Sequence, residues 1–208
     1  MTTVIDPGAG RCLSEGLPFA ATDPKGRVRA RLATELLTAH QDGRARMTLG
    51  LASDYFGPSG VDTALGQAFF GRLAAGKKAQ WLCDLDQPHA ASYLPDVARG
   101  LVTLGSRPEA DGRPWHLPCA APSGRQLLAA AGAVLGRPVG ATVLPTAALR
   151  IGGRVVPLLR ELSYVAHQWD RPWIVDGSAY EREFGPLPVT PLPDAVAATV
   201  SWWTTSSR

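Results

Sequence analysis

Apolar positions along this chain follow two periods, and the period switches repeatedly. From Asp23 to Gly43, Val28, Leu32, Leu36 and Leu37 keep the spacing of one helix face. Asp23 offers a capping oxygen and Pro24 the fixed φ of a first helical position, so a helix is predicted to start there. Met47, Leu49 and Leu51 alternate with other residues and predict a strand. That strand runs into "GLASDYFGPSG" (50–60), where Gly57-Pro58 ends it. Helical spacing follows over 61–75, then a strand over "AQWLCDL" (79–85) and an extended piece over "HAASYL" (89–94). Pro95-Asp96 opens a helix through Val97, Leu101, Val102 and Leu104. "PWHLP" (114–118) is short and extended. Ser123 caps a helix carrying Leu127, Leu128 and Leu135 up to Gly136. "VGATVLP" (139–145) reads as a strand and 154–168 as a helix despite Pro157. "WIVDG" (173–177) is extended, Ser178 starts a short helix ending at Gly185, and a last helix runs from Pro193 to Trp203.

Helices and strands alternate throughout, so the predicted fold class is α/β. There is no internal repeat, and the punctuation at 105–114 and 185–193 reads as loops. With 208 residues, 45% of them hydrophobic and 19% charged, the chain has enough apolar surface for a sizeable core.

Charge adds little. The net charge of +3 demands no nucleic-acid partner. Lys25, Arg27, Arg29 and Arg31 form a basic run, with Lys25 and Arg29 stacked as i, i+4 neighbours. No aromatic residue interleaves with them, so a solvated face is expected and no nucleic acid. Cys12, Cys83 and Cys119 lie far apart with no CxxC pair, which points to reduced thiols. The start, MTTVIDPGAGR, lacks the features of a signal peptide, and no apolar run approaches a membrane span. A cytoplasmic chain with no membrane contact is expected.

Candidate chemistry is sparse. His116-x-x-Cys119 lacks a second ligand pair, and a polar turn accounts for Asp84, Asp86 and His89, so no metal is expected. Tyr164 and His167 read as packed residues on one helix, and Asp96 as a charge favoured at a helix N-terminus. Among the tryptophans, Trp81 and Trp173 lie on short extended pieces and are the candidates to face a pocket.

The order of the pieces resembles the C-terminal part of the extended short-chain dehydrogenase/reductase family, the NAD-dependent epimerases and dehydratases. "LSEGLPF" (13–19) looks like the loop after the family's catalytic Ser/Thr strand, and "PKGRVRARLATELL" (24–37) sits where its catalytic helix belongs. "ASDYFGP" (52–58) resembles the strand and turn that close the nicotinamide site. "HAASYLPDVARGLVTL" (89–104) resembles the segment returning to the sheet, and "DGSAYEREFGPLPVTPLPDAVAATVSWW" (176–203) the family's C-terminal end.

The resemblance implies a partial Rossmann-like parallel sheet plus the small α/β substrate-binding lobe. Residues 1–208 would form a single incomplete domain, with 1–75 as the second half of the cofactor domain and 76–208 mainly the substrate lobe, with segments returning to the sheet. It implies Ala52, Ser53 and Tyr55 at the cofactor, and Asp54, His89 and Arg171 at a small-molecule substrate such as a sugar derivative. Lys25 and Arg29 stand at the positions of the catalytic Tyr and Lys.

The glycine-rich turn that would hold a dinucleotide is absent, since Gly8-Ala9-Gly10 is followed by Leu13 at the next required position. None of Tyr55, Tyr93, Tyr164 and Tyr180 has a Lys four places on; Ser59, Val97, Gln168 and Phe184 stand there. The expectation is a fragment of an NAD- or NADP-dependent enzyme that holds cofactor weakly or not at all by itself and is inactive alone. The alternative is a non-catalytic pseudoenzyme that binds a small molecule or a partner protein. An exposed sheet edge and face would be covered by a second copy or a partner chain.

Overall fold

Helix α1 (Pro24–Gln41) starts where its cap chemistry places it: the Asp23 side chain accepts the Gly26 N–H at 2.8 Å and Pro24 occupies the first turn. The structure is a computed structural model that describes residues 12–21 and 23–206. α1 ends at Asp42, and the chain reverses through Gly43, whose φ of +70° suits glycine.

The strand expected through 47–56 is two strands. β1 (Leu49–Leu51) pairs in parallel with β5 (Pro114–His116), and β2 (Asp54–Phe56) with β4 (Ala91–Tyr93). The chain changes partner at Ala52-Ser53, where the Ser53 N–H donates to Ser92 Oγ at 3.1 Å instead of to a ladder carbonyl. β3 (Ala79–Leu82) pairs in parallel with β6 (Ala141–Leu144). Parallel pairs need crossover connections, and helices supply them. α3 (Leu94–Ser106) lies between β4 and β5, and α4 (Gly124–Leu135) between β5 and β6. Ser123 and Gln126 close α4 with a reciprocal capping box, and Gly136 ends it in the left-handed conformation.

Elsewhere the elements differ from expectation. Residues 61–65 turn, and helix begins only with a π segment, Gly66–Gly71, followed by α2 (Arg72–Ala74). β3 stops at Leu82 because Cys83 takes a positive φ of 58°. The helix read over 154–168 is α6 (Pro157–Val165) with a 3₁₀ turn, Ala166–Gln168. Pro157 sits in its first turn, so the proline starts the helix. A further helix, α5 (Thr146–Gly152), precedes it. α7 (Ser178–Phe184) and α8 (Leu192–Ser206) complete the chain.

The main core gathers Phe56, Phe69, Phe70, Trp81, Leu127, Val196, Val200 and Trp203, so α4 and α8 close over the π segment and β3. A second cluster holds Ala52, Leu104, Trp115, Leu117 and Tyr180 around the β1–β5 pair. Asp96, in the first turn of α3, does more than complement a helix dipole. Its carboxylate accepts the Thr190 N–H at 2.8 Å and Thr190 Oγ1–H at 2.7 Å, and pairs with Arg99. That tie anchors the segment leading into α8. No helix among the described residues is long and apolar enough to cross a membrane.

Candidate functional site

A cleft of about 660 Å³ opens between α1, the turn at 63–65, the β3–β6 pair and α6. Its size suits a small molecule. Leu158, Leu159, Leu162 and Val165 recur at helical spacing on α6 and line one wall. Trp81, Val143 and Trp169 also line it, together with the polar residues Lys25, Arg29, Asp54, Gln80 and Gln168.

The most ordered polar geometry lies behind Asp54. His89 is only 2% exposed and packs its ring on Trp169, with centroids 3.8 Å apart and planes 20° from parallel. Its Nδ1 lies 2.9 Å from the Gln168 carbonyl oxygen, and its Nε2 lies 2.7 Å from Asp54 Oδ2. The Asp54 side chain is 21% exposed and lines the cleft, so the buried imidazole reaches the cleft only through that carboxylate. Gln168 is the second polar feature. It lines the cleft, yet its amide nitrogen is buried with no hydrogen-bond partner among the described residues. Such a donor costs free energy unless something accepts from it.

The cations at the mouth differ from each other. Lys25 Nζ lies 2.6 Å from Glu161 Oε2 on α6, and both are largely in solvent. Arg29 makes no hydrogen bond or ion pair among the described residues, and its charge lies near Tyr55. Burial pushes the Tyr55 phenol above its ordinary value, the Arg29 charge opposes that, and the Asp54 charge adds to it.

The fold thus brings Lys25, Arg29 and Asp54 to one cleft, with His89 directly behind. Tyr55 adjoins Asp54 on β2, while Ala52 and Ser53 are buried where the chain changes partner. Arg171 lies outside the cleft lining and donates from Nε to Asp170 Oδ1 at 2.9 Å. Of the two tryptophans expected at a pocket, Trp81 lines the cleft and Trp173 does not. Trp173 is buried beside Leu13 and Ala90, where its backbone forms an isolated parallel bridge with His89. Sequence reasoning missed Gln168, Trp169 and the apolar face of α6. The leucine spacing of α6 was visible, but only the tertiary structure turns it toward a cavity. No group of three or more His, Cys, Asp and Glu side chains is placed to hold a metal ion among the described residues.

No protein-family model matches the sequence, and no curated protein matches it. The fold has clear counterparts among solved structures. UDP-glucuronic acid 4-epimerase from Bacillus cereus, in complex with UDP-glucuronic acid and NAD, superposes with a TM-score of 0.76 at 16% identity, covering 99% of this chain and 60% of that one. dTDP-glucose 4,6-dehydratase from Bacillus anthracis, in complex with NAD, gives 0.73 at 13% identity, covering 99% and 60%. RMD from Pseudomonas aeruginosa, complexed with NADPH, gives 0.71 at 14% identity, covering 98% and 63%. The structural neighbours are NAD-dependent epimerases and dehydratases, and the α/β fold of this chain is similar to part of theirs. The chain spans about 60% of the length of these structures.

Proposed function

We propose that this chain is the substrate-lobe portion of an epimerase/dehydratase-type oxidoreductase, and that its cleft binds a hydroxyl-bearing small molecule such as a sugar derivative. In this reading residues 1–75 are the second half of a cofactor domain, and 76–208 are mainly the substrate lobe, with segments returning to the sheet. The observation that carries the reading is the cleft itself: a cavity of about 660 Å³ joins Lys25, Arg29 and Asp54, three positions singled out by family resemblance. The fold is shared with enzymes whose solved complexes hold NAD or NADPH and, in the first case, a sugar nucleotide.

The chain by itself is a poor host for NAD or NADP. A pyrophosphate needs a glycine-rich turn at a helix N-terminus. Here the N-terminus of α1 is already capped by the carboxylate of Asp23. The Ser53 N–H is spent on Ser92, and the sequence has no glycine-rich turn. No hydride-transfer step is therefore assigned to these residues alone, and the chain is inactive without further parts or a partner.

One observation favours a second reading, a non-catalytic binding protein. The helix that stands where the family carries its proton-shuttling pair offers Lys25, exposed and paired with Glu161, and the guanidinium of Arg29. Neither is a phenol beside a lysine.

Saturation-transfer NMR on the full chain tests the proposal, using UDP-glucuronic acid, dTDP-glucose and NAD as separate probes. Saturation of the sugar ring of a nucleotide sugar, with none for NAD, is the expected result. Absence of any sugar-ring signal overturns it. Turnover of the bound nucleotide sugar when a glycine-rich cofactor half is supplied as a separate chain with NAD favours the first reading, and no turnover even then favours the second.

A further inference from the structure

We infer that the tip of the α5–α6 hairpin is a contact for an anionic lipid surface. The inference does not depend on what the cleft binds. The expectation of no membrane contact rested on the lack of an apolar run long enough to span, and binding at a surface needs none.

α5 ends at Gly152 and α6 begins at Pro157, and the turn between them is closed by its own backbone. The Gly152 carbonyl accepts the Val155 N–H at 3.1 Å and the Val156 N–H at 2.8 Å, and the Leu149 carbonyl accepts the Gly153 N–H at 2.9 Å. Two glycines let the helices close on each other. A Cβ on Gly152 would lie 2.4 Å from Leu159 Cδ1, and one on Gly153 would lie 3.0 Å from Arg160 Cα. The turn is thus a formed structure, and what it holds in solvent is apolar. Val155 is 83% exposed, Ile151 and Leu158 are each 65% exposed, and Val156 is 45% exposed. Single exposed aliphatics are ordinary, but this many within one turn mark a surface that something covers.

The charge around them has one sign. Arg150, Arg154 and Arg160 are exposed, and no Asp or Glu occurs from Thr146 to Arg160. Arg150 and Arg154 make no side-chain hydrogen bond or ion pair among the described residues. The first acid that follows, Glu161, is engaged by Lys25. Aliphatic side chains interspersed with arginines match a bilayer that carries anionic headgroups. The aliphatics enter the boundary of the acyl chains, and the guanidiniums stay at the level of the phosphates, which they bind through paired hydrogen bonds. A stable protein interface takes roughly 20–30 residues a side, far more than this tip supplies. Leu158 also lines the cleft, so the contact borders the cleft mouth.

The test is flotation of the full chain with vesicles of phosphatidylcholine and phosphatidylglycerol in equal parts, against vesicles of phosphatidylcholine alone. The chain is expected to float with the first and to stay behind with the second. Flotation is expected to fall in 1 M NaCl, where the Debye length is about 3 Å. Arg154→Gln is expected to weaken binding about fivefold, the loss for one basic side chain at an anionic surface. Val155→Asp is expected to abolish flotation. Val155→Trp is expected to strengthen it, because indole settles at the headgroup level, and that gain is a result no misfolded variant gives. No flotation with the anionic vesicles, equal flotation with both kinds, or equal flotation of Val155→Asp and the parent overturns the inference. So does a concentration-dependent dimer in sedimentation that Val155→Asp dissolves, which would assign the tip to a second copy of the chain.

Discussion

Lys25 Nζ sits 2.6 Å from Glu161 Oε2, joining α1 to α6 across 136 residues of sequence at the mouth of the cleft. Both side chains are more than half exposed, so the pair is screened and flexible. Lys25→Ala is expected to leave the urea unfolding midpoint within experimental scatter, and 1 M NaCl is expected to do the same to the unmodified chain. The hydrogen bond and charge of Lys25 hold the Glu161 carboxyl below its ordinary value. Whatever the pair contributes is therefore present at neutral pH and lost as pH falls through the folded-state value. A large drop in midpoint for Lys25→Ala would contradict a solvent-screened pair.

Gly66 and Gly105 predict opposite outcomes for the same substitution. A Cβ on Gly66 would lie 2.2 Å from the Gly60 oxygen and 2.3 Å from the Val61 oxygen, both backbone atoms that cannot swing away. Gly66→Ala is expected to cost about 3 kcal/mol, the upper range for overpacking. Gly105 lies in α3 with nothing within 4 Å of the same position. Gly105→Ala is expected to stabilise by about 0.5–1 kcal/mol through lower unfolded-state entropy and better helix propensity. Urea titrations of the two variants and the parent measure both.

Asp96 and Thr190 are separated by 94 residues, yet they share two hydrogen bonds of 2.8 and 2.7 Å. Asp96→Ala strands both Thr190 donors and is expected to cost about 2 kcal/mol, while Asp96→Asn keeps an acceptor and costs about half as much. If Asp96 served only the dipole of α3, the two variants would unfold at the same urea concentration. Hydrogen exchange at the Thr190 amide reports the lost bond directly.

His116 gives the chain an acid sensitivity. Burial holds its imidazole below the ordinary histidine value, and the Glu15 charge opposes that only in part. The unfolded state binds the proton more readily, so stability is full above the unfolded histidine value of about 6.5 and falls as pH drops from there through the folded value. The urea midpoint of the unmodified chain is expected to fall between pH 7.5 and 5.5. His116→Gln removes the part of that fall that belongs to His116, and a fall of equal size in both proteins would locate the sensitivity elsewhere.

Much of this fold was legible before any coordinates. Caps are local chemistry: Asp23 with Pro24, and Ser123 with Gln126, set helix starts within three residues of themselves. The alternation of helices and strands set the α/β class, and the order of motifs pointed to the fold that the solved neighbours share. Other features needed the third dimension. α5 spans only seven residues, too few to show a period, and it packs against α6 where Gly152 lets Leu159 approach. The break at Ala52-Ser53 exists because β1 and β2 have different partners, β5 and β4, and sequence alone does not name partners.

The same division runs through the site. Asp54, His89, Lys25 and Arg29 could be singled out one by one, because residue type and motif position are properties of the chain. That Asp54 and His89 touch, that the imidazole is buried against Trp169, and that Gln168 supplies the carbonyl holding it were decided by the tertiary structure. These contacts span 35 and 79 residues. Only packing of the strand ends and the turn after α6 brings such distant residues within hydrogen-bond reach. Sequence alone therefore named the groups, and the fold decided which of them touch and which of them meet the cleft.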